Sequence, residues 1–230
     1  EAAGRAIPPG RGWRLGFAAI LVLVSIIGGR IIPSFTRNWL AKQGKFGLPT
    51  PNGLADRAGL ITLHIALLVW AFLPASPPVG WLLLLAAAAN VWRLGRWRGL
   101  AVREEPLLLI LHVAYGWLIV GSALLGLTTL GLAIPQSAAI HALTVGAMGT
   151  MILAVMTRAT RGHTGRPLVA DRTTVLIYGL VSAAALTRIA ASFLDAWTMP
   201  LLSASGLFWI LAFLIFALAY GRALLTPRVA

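Results

Sequence analysis

The sequence predicts an all-α polytopic membrane protein, a single transmembrane domain of about seven helices. Three observations carry that expectation. The 230 residues are 59% hydrophobic and 11% charged, with a mean hydropathy of +0.86, far more apolar than a soluble domain needs to close a core. The apolar residues fall into runs long enough to cross a hydrocarbon layer as helices, and too long and uniform for barrel strands. The lysines and arginines gather in alternate connections between those runs.

Taken in order, the helices are expected at roughly 15–33, 57–74, 79–95, 106–128, 137–158, 173–194 and 200–222. Proline marks most of their ends: Pro33 after the first, Pro74 with Pro77 and Pro78 between the second and third, Pro106 before the fourth, Pro135 before the fifth and Pro200 at the seventh. The sixth is the apolar run between Arg172 and Asp195. The one long connection, residues 34–56, mixes basic and aromatic residues and reads as a strip lying on the membrane interface.

Seven crossings alternate the connections between two faces, and the basic residues then separate. Arg37, Lys42, Lys45 and Arg57 follow the first helix, Arg93, Arg96, Arg98 and Arg103 the third, Arg158, Arg161, Arg166 and Arg172 surround the fifth-to-sixth connection, and Arg222 and Arg228 end the chain. All of these share one face. Connections 75–78, 129–136 and 195–199 carry no lysine or arginine, so the positive-inside rule predicts that the basic loops and the carboxy terminus lie in the cytoplasm. Arg5, Arg11 and Arg14 break the pattern. Trp13, Trp81 and Trp197 near one face, and Trp39, Trp92 and Trp97 near the other, suit interfacial belts. The net charge of +13 is accounted for by lipid headgroups and topology, which removes nucleic acid as a partner and leaves the bilayer. The absence of cysteine excludes disulfides, thiolate metal sites and iron–sulfur clusters. The opening stretch, EAAGRAIPPGRGWR, lacks the form of a signal peptide, and the chain is expected to be a piece of a longer protein.

Against this apolar background the 4 histidines carry most of the chemical information. An imidazole at membrane depth must find a partner, so His64, His112 and His141, with His163 beside an apolar run, are candidate ligands or proton-handling groups, next to the plainer reading of hydrogen-bonded structural residues. His64 and His112 are each expected about two turns into helices running the same way, facing each other at one depth, with Asn90 nearby. Gly116, one turn beyond His112, would let a flat macrocycle approach that helix or simply allow close packing. His141 is expected near the opposite surface, ~15 Å from His112 in depth, with Arg188 on the same side and Asp195 two turns beyond it. A buried arginine needs a carboxylate, an anionic substrate, a haem propionate or carbonyls to neutralise it.

The fifth run, HALTVGAMGTMILAVMTR, presents Gly146 and Gly149 with Ala142 and Ala147 as a small-residue surface for close helix contact. His141 and Met148, seven apart, are expected to share a face, as a copper site could use, although Met148, Met151 and Met156 read first as packing. The following RATRGHTGRP sets Arg158, Arg161 and Arg166 around His163, an arrangement for an anion, a propionate or lipid headgroups.

Those stretches, HALTVGAMGTMILAVMTRATRGHTGRP at 141–167 and GGRIIPSFTRNWL at 28–40, resemble the NnrS family of bacterial inner-membrane proteins. The resemblance covers essentially the whole chain, which would correspond to the carboxy-terminal half to two-thirds of a family member of about twelve helices, the missing amino-terminal half then being a partner of the same protein. It implies b-type haem and copper as cofactors and a role in the response to nitric oxide, iron–nitrosyl species or nitrosative stress during denitrification. His141, His163, Arg30, Arg37, Arg158 and Arg166 match motif positions, whereas His64, His112 and Arg188 rest on depth and chemistry. The implied cofactor-binding set is His64, His112, His141, His163, Arg158, Arg166 and Arg188, with His141, His163, His112 and Met148 as metal ligands. Whether a substrate is turned over stays open. Three other readings compete: a proton- or anion-coupled transporter without metal, an assembly subunit, and an electron-transfer protein with haem between His64 and His112.

Overall fold

The computed structural model describes residues 10–50 and 53–228, so Arg5 lies outside the described residues. Among the described residues there is no strand. The chain forms a helical membrane protein with seven helices long and apolar enough to cross a bilayer: α1 (Arg11–Lys42), α2 (Leu54–Phe72), α3 (Pro77–Arg96), α4 (Pro106–Thr129), α5 (Gln136–His163), α6 (Arg172–Ala190) and α7 (Thr198–Leu225). Helix is the form in which an apolar run satisfies its own backbone in lipid. Polar residues fix several starts. The Asp56 carboxylate accepts from the Gly53 N–H at 3.2 Å, Glu105 from Leu107 N–H at 3.2 Å with Pro106 at the first position, and Asp171 from Thr174 N–H at 2.8 Å.

Helices α1 to α4 close on themselves, α1 against α2 and α4, α2 against α3, and α3 against α4. Helix α5 leans on the outer side of α4, and the α6–α7 pair closes against α5. Leu107, Leu111, Tyr115 and Leu118 of α4 are almost fully buried, as its place between the two groups requires.

Three expectations are corrected. Helix α1 does not end at Pro33 but runs through it to Lys42, so the supposed interfacial strip is half helix. Proline lacks the N–H that would reach the Gly29 carbonyl, a loss that membrane helices tolerate. Trp97 is not an interfacial anchor. It is 1% exposed and its indole N–H donates to Asp56 Oδ1 at 3.3 Å. The pattern-breaking arginines have a local reason: Arg14 Nε donates at 3.1 Å to the Ala71 carbonyl in the last turn of α2, and Arg11 lies 5.2 Å over the Phe72 ring.

Helix α5 changes pitch. Between His141 and Thr150 the residues Ala142–Gly149 adopt a π-helix, and the α form resumes to His163, past the expected end. Tryptophans flank this segment where glycines leave room: a Cβ on Gly146 would stand 2.8 Å from the Trp117 ring of α4, and one on Gly149 2.5 Å from that of Trp209 of α7.

Candidate functional site

Helix α3 places Asn90, Arg93 and Trp97 on one stripe facing the middle of the first four helices. Arg93 belongs to this interior rather than to a basic loop: it is 2% exposed, its Nε pairs with Asp56 Oδ1 at 3.0 Å, and its Nη1 donates to the Tyr115 hydroxyl at 2.6 Å. Tyr115 donates onward to Asn90 Oδ1 at 2.7 Å, and the Asn90 amide donates to the carbonyls of Gly59 and Ala86, each at 2.9 Å. The Arg93 guanidinium lies 4.9 Å over the Trp97 ring, and a Cβ on Gly29 would collide with its terminal nitrogen. A charged group stays at this depth because its Nε pairs with a carboxylate, its Nη1 with a hydroxyl, and its face lies on an aromatic ring. The sequence offered a signal for it in the i, i+3, i+7 spacing of Asn90, Arg93 and Trp97 together with the scarcity of acidic residues.

The four histidines stand apart. His112 is satisfied on both nitrogens: Nδ1–H donates to the Leu108 carbonyl at 3.0 Å, which leaves Nε2 to accept from Thr36 Oγ1 at 3.4 Å. His64 does not meet it. Because α2 begins at Leu54, His64 sits ~15 Å into its helix and His112 ~9 Å into α4, and the Arg93 group fills the interior between α2 and α4. His64 Nε2 is buried and has no hydrogen-bond partner among the described residues. His163 is exposed, at the basic end of α5, where an apolar cavity of about 320 Å³ is lined by Phe35, Leu111, Val155, Arg158 and His163 itself. Arg158 lies 4.3 Å over the Phe35 ring, and Arg166 Nη1 is buried without a hydrogen-bond partner among the described residues. A Cβ on Gly116 would meet nothing within 4 Å, so that stretch of α4 has open space beside it.

His141 faces α6 and α7. Arg188 Nε donates to His141 Nε2 at 3.1 Å, which makes the imidazole an acceptor at that nitrogen and places the proton of the neutral ring on Nδ1. The pair lines a cavity of about 450 Å³ with Thr144, Leu202, Ser205 and Trp209. Asp195 is exposed and forms no ion pair among the described residues, so Arg188 is answered by an imidazole and not by the expected carboxylate. Met148 is not on this face. It lines a separate apolar cavity with Leu23, Val24 and Ile27 of α1, because the i→i+5 pitch between His141 and Met148 turns each residue through less than the α angle. Among the described residues no group of three His, Asp or Glu side chains is placed to hold a metal ion.

At the basic face Arg161 joins Asp171 and the Tyr220 hydroxyl, the latter at 3.0 Å. Burial pushes the Asp171 carboxyl up, but the Thr174 N–H and hydroxyl and the Arg161 guanidinium outweigh it and hold the group below its ordinary value. This network fastens the α5–α6 connection, so Arg161, expected to serve topology or an anion beside His163, is committed to Asp171 and Tyr220.

A family model described as NnrS protein matches residues 2–228, nearly the whole chain. No match was found among curated proteins or among solved structures.

Proposed function

We propose, on the premise that this chain belongs to the NnrS family, that it binds haem, with copper as a second metal, and acts in the response to nitric oxide or nitrosative stress. The observation that carries the haem reading is the buried, unpartnered Nε2 of His64. An imidazole nitrogen without a partner in an apolar interior costs on the order of 1–3 kcal/mol, and a metal ion is one of the few ligands that answers it. Bound haem would supply an iron that takes up nitric oxide. His64 would hold that iron from α2. Arg93, committed to Asp56 and Tyr115, is not free for a propionate, whereas Arg158, Arg166 and Arg188 are not committed to one in this way. Copper rests on the family resemblance, since His141 and Met148 line different cavities and do not fit a shared ion. The proposal includes the bacterial inner membrane, with the arginine-rich connections in the cytoplasm, on the asymmetry of the basic residues.

The test is an optical spectrum of the purified full-length protein, oxidised and then dithionite-reduced, with metal analysis on the same sample and nitric oxide added last. A Soret band that shifts with nitric oxide and is lost in His64→Ala supports the reading. A band that survives His64→Ala moves the iron to another histidine, and a colourless, metal-free protein that still supports its cellular role overturns the haem function. A second reading, a proton- or anion-coupled transporter without metal, is favoured by one feature, the Arg188–His141 pair over its cavity with no acidic partner.

A further inference from the structure

We propose that Arg188 and His141 form a binding site for a small monoanion with two acceptor oxygens in one plane, a carboxylate or a planar oxoanion, in the cavity between α5, α6 and α7. The inference does not rest on the haem reading. Arg188 lies within a membrane-crossing helix, two residues before its end. Of its donors only Nε is used, toward His141 at 3.1 Å, and the terminal nitrogens make no hydrogen bond among the described residues. The side chain is also turned inward, across to another helix. The acidic side chains among the described residues do not help: Asp56, Glu104, Glu105 and Asp171 belong to the basic face, and Asp195 is exposed and unpaired there.

The rest of the cavity defines the ligand. The Thr144 and Ser205 hydroxyls already donate to the Ile140 and Ala184 carbonyls, each at 2.9 Å, so they turn no proton toward a guest. The free donors are the outer edge of the guanidinium and the Nδ1–H of the neutral imidazole. A guanidinium edge matches two coplanar oxygens, and one net positive charge balances one negative charge. Leu202, Val145, Trp209 and Ile210 supply apolar wall, which disfavours a strongly hydrated polyvalent anion. A cavity of about 450 Å³ accepts such an ion with room for either a free molecule or the carboxylate arm of a larger one. Trp209 is held in this wall by its seat over Gly149, which ties the cavity to the π-segment of α5.

The experiment is calorimetric titration of the full-length protein, in nanodiscs of zwitterionic lipid at constant ionic strength, with sodium formate, sodium nitrate and sodium sulfate, on haem-free and haem-loaded fractions. Saturable binding of formate or nitrate but not sulfate, weakened at least tenfold in Arg188→Gln and partly in Arg188→Lys, is the expected result. Binding in the haem-free fraction that disappears in the haem-loaded one identifies the resident anion as a carboxylate of the cofactor and still supports the site. Absence of saturable binding in both fractions, or equal binding by Arg188→Gln with an unchanged unfolding midpoint, overturns it. Should Arg188→Gln fold poorly, Arg188→Lys alone decides, because it keeps the charge and removes the fork.

Discussion

Arg93 and Arg188 are both arginines inside membrane-crossing helices, and their surroundings are opposite. Arg93 is 2% exposed and enclosed, with Asp56 on Nε, Tyr115 on Nη1, the Trp97 ring beneath it and Gly29 beside it. Arg188 is half-buried, faces a cavity and has a neutral imidazole as its hydrogen-bond partner. The first is what a fold does with a charge it uses as a fastening. The second leaves its terminal donors unspent beside a cavity, which is what a binding site needs and a scaffold avoids. The contrast is between the two arginines and not between two halves of the molecule, because α3 and α4 also border a cavity of about 480 Å³, lined by Leu94, Leu109 and His112 among others.

The comparison breaks most violently at the closed arginine. Asp56→Ala strands a buried guanidinium and removes the carboxylate that caps α2, so a loss of about 3–5 kcal/mol is expected, read as a lowered unfolding midpoint in detergent. Restoring Asp56→Ala by a second change, Arg93→Leu, should recover part of it if the stranded charge is the cause. Next comes the wall of the open site. Gly149→Ala pushes a methyl into Trp209 and is expected to cost about 1–3 kcal/mol, with weakened anion binding as a readout that simple destabilisation around Arg93 would not produce.

Smaller effects sharpen the picture at the rims. Asp171→Ala removes the N-cap of α6, at about 1 kcal/mol. The ion pair with Arg161 adds little, because the Asp171 side chain is 58% exposed and screened. The pH dependence has a definite sign: the folded value is depressed, so this group's contribution is complete above its unfolded value of about 3.9 and is lost as pH falls through the lower folded value. A pH titration of unfolding should therefore show a shallower acid limb in Asp171→Asn. The smallest effect is at Arg14→Ala, about 0.3–1 kcal/mol, for the lost contact with the end of α2.

The helices were legible because lipid permits few alternatives to them, and their ends because proline and charge punctuate the runs. Pro33 misled because a proline inside a membrane helix need not end it, and α1 runs on to Lys42. Arg93 itself was read as a loop charge because sequence gives position along a helix and not which side is covered. Placing His141 and Arg188 on one side of the membrane needed only the direction of each helix. Their direct hydrogen bond, and the separation of Met148 from His141, depended on the π-segment, whose register is set by Trp117 and Trp209 packing onto glycines far from them in sequence. The pairing of His64 with His112 failed because equal distance from a helix end says nothing about what stands between.

The most direct test of the closed-and-open distinction is to measure unfolding of Arg93→Gln and Arg188→Gln side by side in the same detergent. The account predicts a large fall in midpoint for Arg93→Gln and a midpoint within error of the parent for Arg188→Gln. Equal destabilisation by the two would contradict it, and would make Arg188 a second fastening rather than the edge of a site.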